Sequence, residues 1–243
     1  MTSALHNDRL ANVAGTSGDQ LLGVVLAGGR STRMGTDKAA LPVTPQTEAA
    51  FEAAIEAAVD GHSSADIARP ETLLMLAVRR IRPLVTAIAV SGRSDQQLNS
   101  LAPAGELGSP PPLGIVDPLP DLGPAMGVCE SLRTARSLGL AAIIVTPVDM
   151  PDLRTEDLRH LVDAYRTGPR LIAAKFADGR PQPLVAIYPV DLIESIENLL
   201  ATPHRSLYRY LQERNASLVR LRRSASRNLN RPQDLGDRVT DAG

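Results

Sequence analysis

One thirteen-residue stretch concentrates the reactive chemistry: Leu26-Ala-Gly-Gly-Arg-Ser-Thr-Arg-Met-Gly-Thr-Asp-Lys38. Gly28, Gly29 and Gly35 permit positive φ and let backbone approach a ligand closely. Successive N–H groups in such a loop form a nest for phosphate oxygens. Arg33 offers a planar fork and Lys38 a compact point charge, and together they neutralise a polyphosphate. Lys38 and Lys175 are the only lysines among 26 basic residues, so a lysine inside this motif is not incidental. Spacing excludes two familiar phosphate loops. Gly35 is followed by Thr36-Asp37-Lys38 rather than by Lys and a hydroxyl residue, and Gly28 and Gly29 are adjacent rather than alternating. Two carboxylates stand out further along, in Val116-Asp117-Pro118 and Thr146-Pro-Val-Asp149-Met-Pro151. Each follows a short apolar run. A carboxylate on the end of a strand can anchor a hard cation, or it can cap the turn that follows.

Short apolar runs must position these groups. Leu22–Ala27 is a continuous run bounded by glycines and reads as a strand buried on both faces. Val85–Val90, Leu113–Val116 and Ala141–Thr146 read the same way. They end at Ser91-Gly92-Arg93, Asp117 and Asp149. Helices are expected over 71–82, ending at Pro83, over 124–138 and over 155–165. Residues 94–112 are polar and proline-rich, and Pro110-Pro-Pro112 must be loop. Strands at 171–174 and 184–188 flank the loop 178–183, helices follow near 190–200 and 206–213, and a last strand covers 218–221. Alternating βα units predict a mainly parallel, twisted sheet with helices on both faces, a three-layer α/β/α arrangement. Ligands of such sheets sit at the carboxyl ends of the strands, where all four loaded loops fall. Residues 1–20 and 237–243 read as tails around one domain, 21–236. Within it, 42–70 reads as an insertion whose helix starts at Thr44-Pro45 and docks through Phe51, Ile55 and Val59.

Composition narrows the function classes. The 243 residues carry a net charge of −1 and only 2% aromatics, without Trp, so neither a field for nucleic acid nor base-stacking platforms are expected. No apolar run approaches the ~20 residues that span a bilayer, and no signal segment opens the chain; a cytoplasmic protein without membrane contact is expected. One cysteine, Cys129, allows no disulfide framework, and it reads as a core residue. Four scattered histidines form no metal-ligand spacing.

The stretch 26–38 resembles the Leu-Ala-Gly-Gly-x-Ser-x-Arg-Met-Gly-x-Asp-Lys signature of nucleotidyltransferases acting on molybdopterin, most closely the molybdenum cofactor guanylyltransferase family. The resemblance covers 22–41 and 71–235. It implies a Rossmann-like nucleotidyltransferase fold with a short antiparallel part, and transfer of GMP from GTP to molybdenum-bearing molybdopterin, with release of pyrophosphate. Leu26, Ala27, Gly28, Gly29 and Lys38 then wrap the nucleotide. Arg33 and Lys38 face its phosphates. Asp149 matches the Asp-x-Pro element that holds Mg²⁺. Asp117 matches an acidic nucleotide contact ahead of a Gly-Pro-Leu-x-Gly turn, here Gly123-Pro-Ala-Met-Gly127 with Ala125 in place of Leu. Ser91 falls at a small polar nucleoside contact.

The portion 171–235 resembles the family's acceptor side. Arg180 and Gln182 match its Gly-x-x-(His/Gln)-Pro-Leu segment. Asn228 and Asn230 match its Asn-x-Asn ending, with Arg231 in place of Thr. The arginines 220, 222, 223 and 227 form a basic cluster, either solvated or meeting the acceptor phosphate. The cytidylyltransferase of the same pterin is the nearest alternative, and its Leu-Ala-Ala-Gly loop and Gly-His-Pro segment differ from the residues here. Other nucleotidyltransferases and a non-catalytic nucleotide-binding regulatory protein are further alternatives. Other cofactor-assembly proteins and target molybdoenzymes are the protein partners the resemblance suggests.

Overall fold

The computed structural model describes residues 20–28, 37–43, 71–102, 105–119 and 122–229. The expected helix of 44–70, with Phe51, Ile55 and Val59, lies outside the described residues. Either side of that segment the chain is joined directly, Val43 N–H donating to the Glu71 carbonyl at 2.8 Å.

Four apolar runs become parallel strands: β1 (Leu21–Leu26), β2 (Ala87–Ser91), β3 (Leu113–Ile115) and β4 (Ala142–Pro147). Three more follow, β5 (Ile172–Lys175), β6 (Pro181–Pro189) and β7 (Ser217–Arg220). The sheet order is β3-β2-β1-β4-β6-β5-β7. Among its neighbours β6 alone runs antiparallel, to β4 and to β5. The antiparallel part is thus the longest strand of the sheet, inserted between two parallel groups.

Alternate residues of β1 feed two cores. Leu21 and Val25 pack on one face, with helices α1 (Leu73–Ile81) and α4 (Thr155–Thr167). Leu22, Val24 and Leu26 pack on the other. That second face carries helix α3 (Pro124–Ser137) and the pair α5 (Ile193–Ala201) and α6 (Leu207–Glu213). Period-two alternation makes both faces apolar, so β1 reads as one unbroken hydrophobic run. Cys129 lies fully buried in α3, and burial pushes its thiol up, away from a reactive thiolate. No described helix is long and apolar enough to cross a membrane.

The region 94–112 holds a helix that the sequence reading did not assign. Residues Asp95–Leu101 form helix α2. Ser94 caps it by accepting the Gln97 N–H, and the Gln97 side-chain oxygen accepts the Ser94 N–H, completing a capping box. The Ser-x-x-Gln spacing carried that signal. The run of prolines downstream concealed it.

Candidate functional site

Chain order sets the site. From β1 the chain moves outward to β2 and β3, then returns to place β4 on the other side of β1. The order therefore reverses between β1 and β4, and a doubly wound sheet opens a crevice at that switch point. The glycine-rich loop leaves β1 there, and Asp149 follows β4. Leu26 pairs with Pro147, and Val148 N–H donates to the Leu26 carbonyl at 3.1 Å, so the two segments run side by side past the sheet edge.

Two carboxylates frame a single turn of 3-10 helix, Lys38–Ala40, in this crevice. Asp37 caps the turn by accepting the Ala39 N–H at 3.0 Å. Lys38 Nζ donates to Asp149 Oδ2 at 2.8 Å across 111 positions of sequence. Only 18% of the Lys38 side chain and 23% of the Asp149 side chain remain exposed, so the pair is largely shielded yet open at one side. These are two of the charged groups singled out by type and spacing, and the fold brings them into contact.

The approach of β1 to β2 requires glycine. Gly92 has φ +85°, and a Cβ there would come within 2.3 Å of the Gly28 Cα. Any side chain at 92 would drive the two loops apart. Ala27 N–H donates to the Ser91 carbonyl at 3.0 Å, closing the same junction. Ser91 is itself 2% exposed. A Cβ at Gly127 would lie 2.6 Å from Ser91 Oγ, so the hydroxyl sits beneath the start of α3. Its side chain is therefore covered by α3 in this structure.

Asp117 stands on the same edge, just past β3. Three strand intervals separate β3 from β4, roughly 14 Å at the usual spacing. One carboxylate oxygen of Asp117 is buried with no hydrogen-bond partner among the described residues. Burial, and secondarily the charge of Glu130, raises its pKa above the ordinary carboxylate value. The folded state therefore holds this proton more tightly than the unfolded chain. The resulting destabilisation is absent below the ordinary value of 3.8 and grows as pH rises above it. Asp117→Asn should raise the melting temperature of the ligand-free protein at pH 7.5 by about 2 °C, and the gain should close on acidification toward pH 4. An equal melting temperature at pH 7.5 would show that the carboxylate is already satisfied.

The acceptor-side residues also reach this edge. β6 is antiparallel, so its first residues lie where β4 and β5 end. Gln182 pairs across from Ala174, and the exposed Arg180 precedes the strand. On the opposite flank, Leu229 N–H donates to the Asp149 carbonyl at 2.9 Å, which sets Asn228 beside the β4 exit. Gly29, Arg33 and Asn230 lie outside the described residues.

Sequence reading missed the ion pairs that hold this edge. Arg222 donates to Asp157 through Nε at 3.0 Å and through a terminal nitrogen at 2.6 Å. Arg227 Nε donates to Asp152 at 2.6 Å. Two members of the basic cluster thus tie the C-terminal segment to helix α4 and to Asp152, three positions past Asp149. Both are ion-paired rather than merely solvated. Acidic partners 65 and 75 positions away leave no local spacing signal.

The comparisons with known proteins agree with this geometry. The family model of the MobA-like NTP transferase domain matches residues 23–218. A Rhodopirellula baltica protein named as a probable molybdenum cofactor guanylyltransferase is 39% identical over 219 residues, covering 89% of this chain and 90% of that one. An Opitutus terrae protein of the same name is 31% identical, covering 88% and 92%. The solved structure of molybdopterin-guanine dinucleotide biosynthesis protein A from Archaeoglobus fulgidus superposes with a TM-score of 0.60 at 19% identity, covering 89% and 95%, and shares the fold. A family model matched over most of the chain, and a relative 39% identical along nine-tenths of its own length, show that the chain belongs to the MobA-like NTP transferase family and is a nucleotidyltransferase.

Proposed function

We propose that this protein transfers GMP from GTP to molybdenum-bearing molybdopterin and releases pyrophosphate. The carrying observation is the 2.8 Å contact between Lys38 and Asp149 at the switch point. The guanylyltransferase names of the relatives, and Gly28-Gly29 with Gln182-Pro183-Leu184, favour guanine over cytosine and the pterin as acceptor.

The acceptor phosphate attacks the α-phosphorus in line. A P–O bond forms on that side, the bond to the β-phosphate oxygen breaks, and pyrophosphate leaves. A phosphate monoester is already anionic near neutral pH, its second pKa being about 6. No strong general base is required. Lys38, with Arg33, balances charge spreading over the phosphate oxygens. Gly28 and Gly29 let backbone N–H groups approach the triphosphate. Asp117 faces the nucleoside end of the crevice, with Ser91 beneath it. Arg180, Gln182, Asn228 and Asn230 bind the acceptor.

Mg²⁺ fits the donors present. Asp149 offers hard carboxylate oxygen at the exit of β4 and would be the protein ligand of the ion. When bound, the ion supplies charge neutralisation on the phosphate oxygens.

The test measures pyrophosphate release from each of the four ribonucleoside triphosphates, with Mg²⁺ and molybdopterin supplied. Release with GTP, lost in Asp149→Ala, is the expected result. Release with CTP would assign the cytidylyl reaction. Silence with all four, beside an active control enzyme, would overturn transfer to this acceptor and favour a nucleotide-binding regulator.

A further inference from the structure

We infer that Arg93 is a positioning residue for Lys38, acting through Asp37; this rests on the proposed role of Lys38 at the triphosphate. Arg93 leaves β2 at the Gly92 turn, next to the glycine-rich loop. One terminal nitrogen lies 2.6 Å from both Asp37 oxygens. Its other terminal nitrogen donates to the Gly92 carbonyl at 3.2 Å. The Gly92 and Arg93 N–H groups both donate to the Ile115 carbonyl, at 2.8 and 3.2 Å. The guanidinium is therefore fixed at its root by β2 and β3 and at its tip by Asp37.

Asp37 passes this constraint on. The same Oδ1 that meets Arg93 accepts the Ala39 N–H and so fixes the first turn of Lys38–Ala40. Lys38 starts that turn and reaches Asp149. An unbroken line of contacts runs from β2 through Arg93, Asp37 and Lys38 to Asp149, joining three strand ends around the crevice. The Arg93 side chain is 17% exposed and that of Asp37 38%. A guanidinium shielded to that degree, touching both oxygens of a half-exposed carboxylate, suits a charge that sets geometry more than one that merely solubilises a surface. The Arg93 charge also holds Asp37 in balance, so the carboxylate does not repel the triphosphate that Lys38 must meet.

The variants separate positioning from folding. Asp37→Asn keeps an oxygen that caps Ala39 but removes the ionic contact. Arg93→Met keeps the aliphatic stem and removes the fork, and Arg93→Lys restores charge without the fork. Each is measured in the full chain for the kcat and KM of pyrophosphate release from GTP and, without acceptor, for GTP affinity by calorimetry. Arg93→Met and Asp37→Asn should each lower kcat/KM by roughly 100-fold, the scale of a displacement near 1 Å at a reacting group. Arg93→Lys should recover only part of it.

The decisive readout is additivity. If Arg93 acts through Lys38, adding Arg93→Met to Lys38→Met should cost less than about threefold more, whereas independent effects multiply. Multiplying losses, or an Arg93→Met enzyme within threefold of the parent, would overturn the inference. Should the parent release no pyrophosphate from any triphosphate, the transfer reading fails, and the same cycle in GTP affinity still decides the role of Arg93.

Discussion

Asp149→Asn is expected to lower pyrophosphate release by about 10³-fold, the loss typical when a preorganised charge at a reacting centre is removed. The reasoning starts from the resting pair. Lys38 and Asp149 balance one another at 2.8 Å, so neither charge is left alone in a shielded crevice. Under the proposed function, Lys38 would meet phosphate oxygen and Asp149 would hold the cation, so the resting pair would become two substrate contacts. Removing the carboxylate would leave Lys38 able to attract phosphate but would take away the anchor for the ion. Substrate binding should therefore suffer less than turnover. Half-saturation in Mg²⁺ should rise more than tenfold, while GTP affinity measured without divalent cation should hold or tighten, because the Asp149 charge no longer competes with phosphate for Lys38. A variant within tenfold of the parent, with unchanged Mg²⁺ dependence, would show that Asp149 only restrains Lys38. A melting curve beside each rate separates these effects from unfolding.

The residues that make this prediction possible were legible before the fold was known, and the reason is local. The loop 26–38 and the exits at Asp117 and Asp149 combine apolar strand runs with special side chains within a few positions, and parallel α/β sheets gather such exits on one edge. What could not be read depends on pairings distant in sequence. Nothing in Pro181–Pro189 states that β6 runs antiparallel, because direction follows from connections rather than from strand composition. Nothing near Arg93 points to Asp37, 56 positions away. Helix α2 is a different case. Its Ser94–Gln97 cap was present in sequence, and Asp95 also accepts the Gly114 N–H at 2.7 Å, fastening the helix to β3. A proline-rich composition outweighed a short helical signal that tertiary contacts complete.

Asp157→Ala should be the most destabilising single change on the site's edge, costing about 3 kcal/mol, at the low end of the range for breaking buried pairs because Arg222 is partly exposed. Asp157 is 2% exposed and carries three contacts at once. It accepts two hydrogen bonds from Arg222 and one, at 2.9 Å, from the Arg154 N–H at the start of α4. Alanine removes a helix cap and strips Arg222 of its carboxylate together. At roughly 2–4 °C per kcal/mol for a chain of this size, the melting temperature should fall by about 6–12 °C. Arg222→Met tests the same pair from its other side. It leaves Asp157 buried with only the cap, so it should cost about as much although the lost side chain is the more exposed one. Asp157→Asn keeps an oxygen for the cap and should fall between the parent and alanine. The consequence reaches the crevice because residues 221–229 hang on this pair and on Arg227–Asp152 before Leu229 meets the Asp149 carbonyl. A loosened segment should raise KM for the pterin more than KM for GTP, since Asn228 lies on it and the glycine-rich loop does not. Equal rises in both would place the damage in α4 as a whole. A melting temperature within 2 °C of the parent would mean that water replaces the pair at little cost.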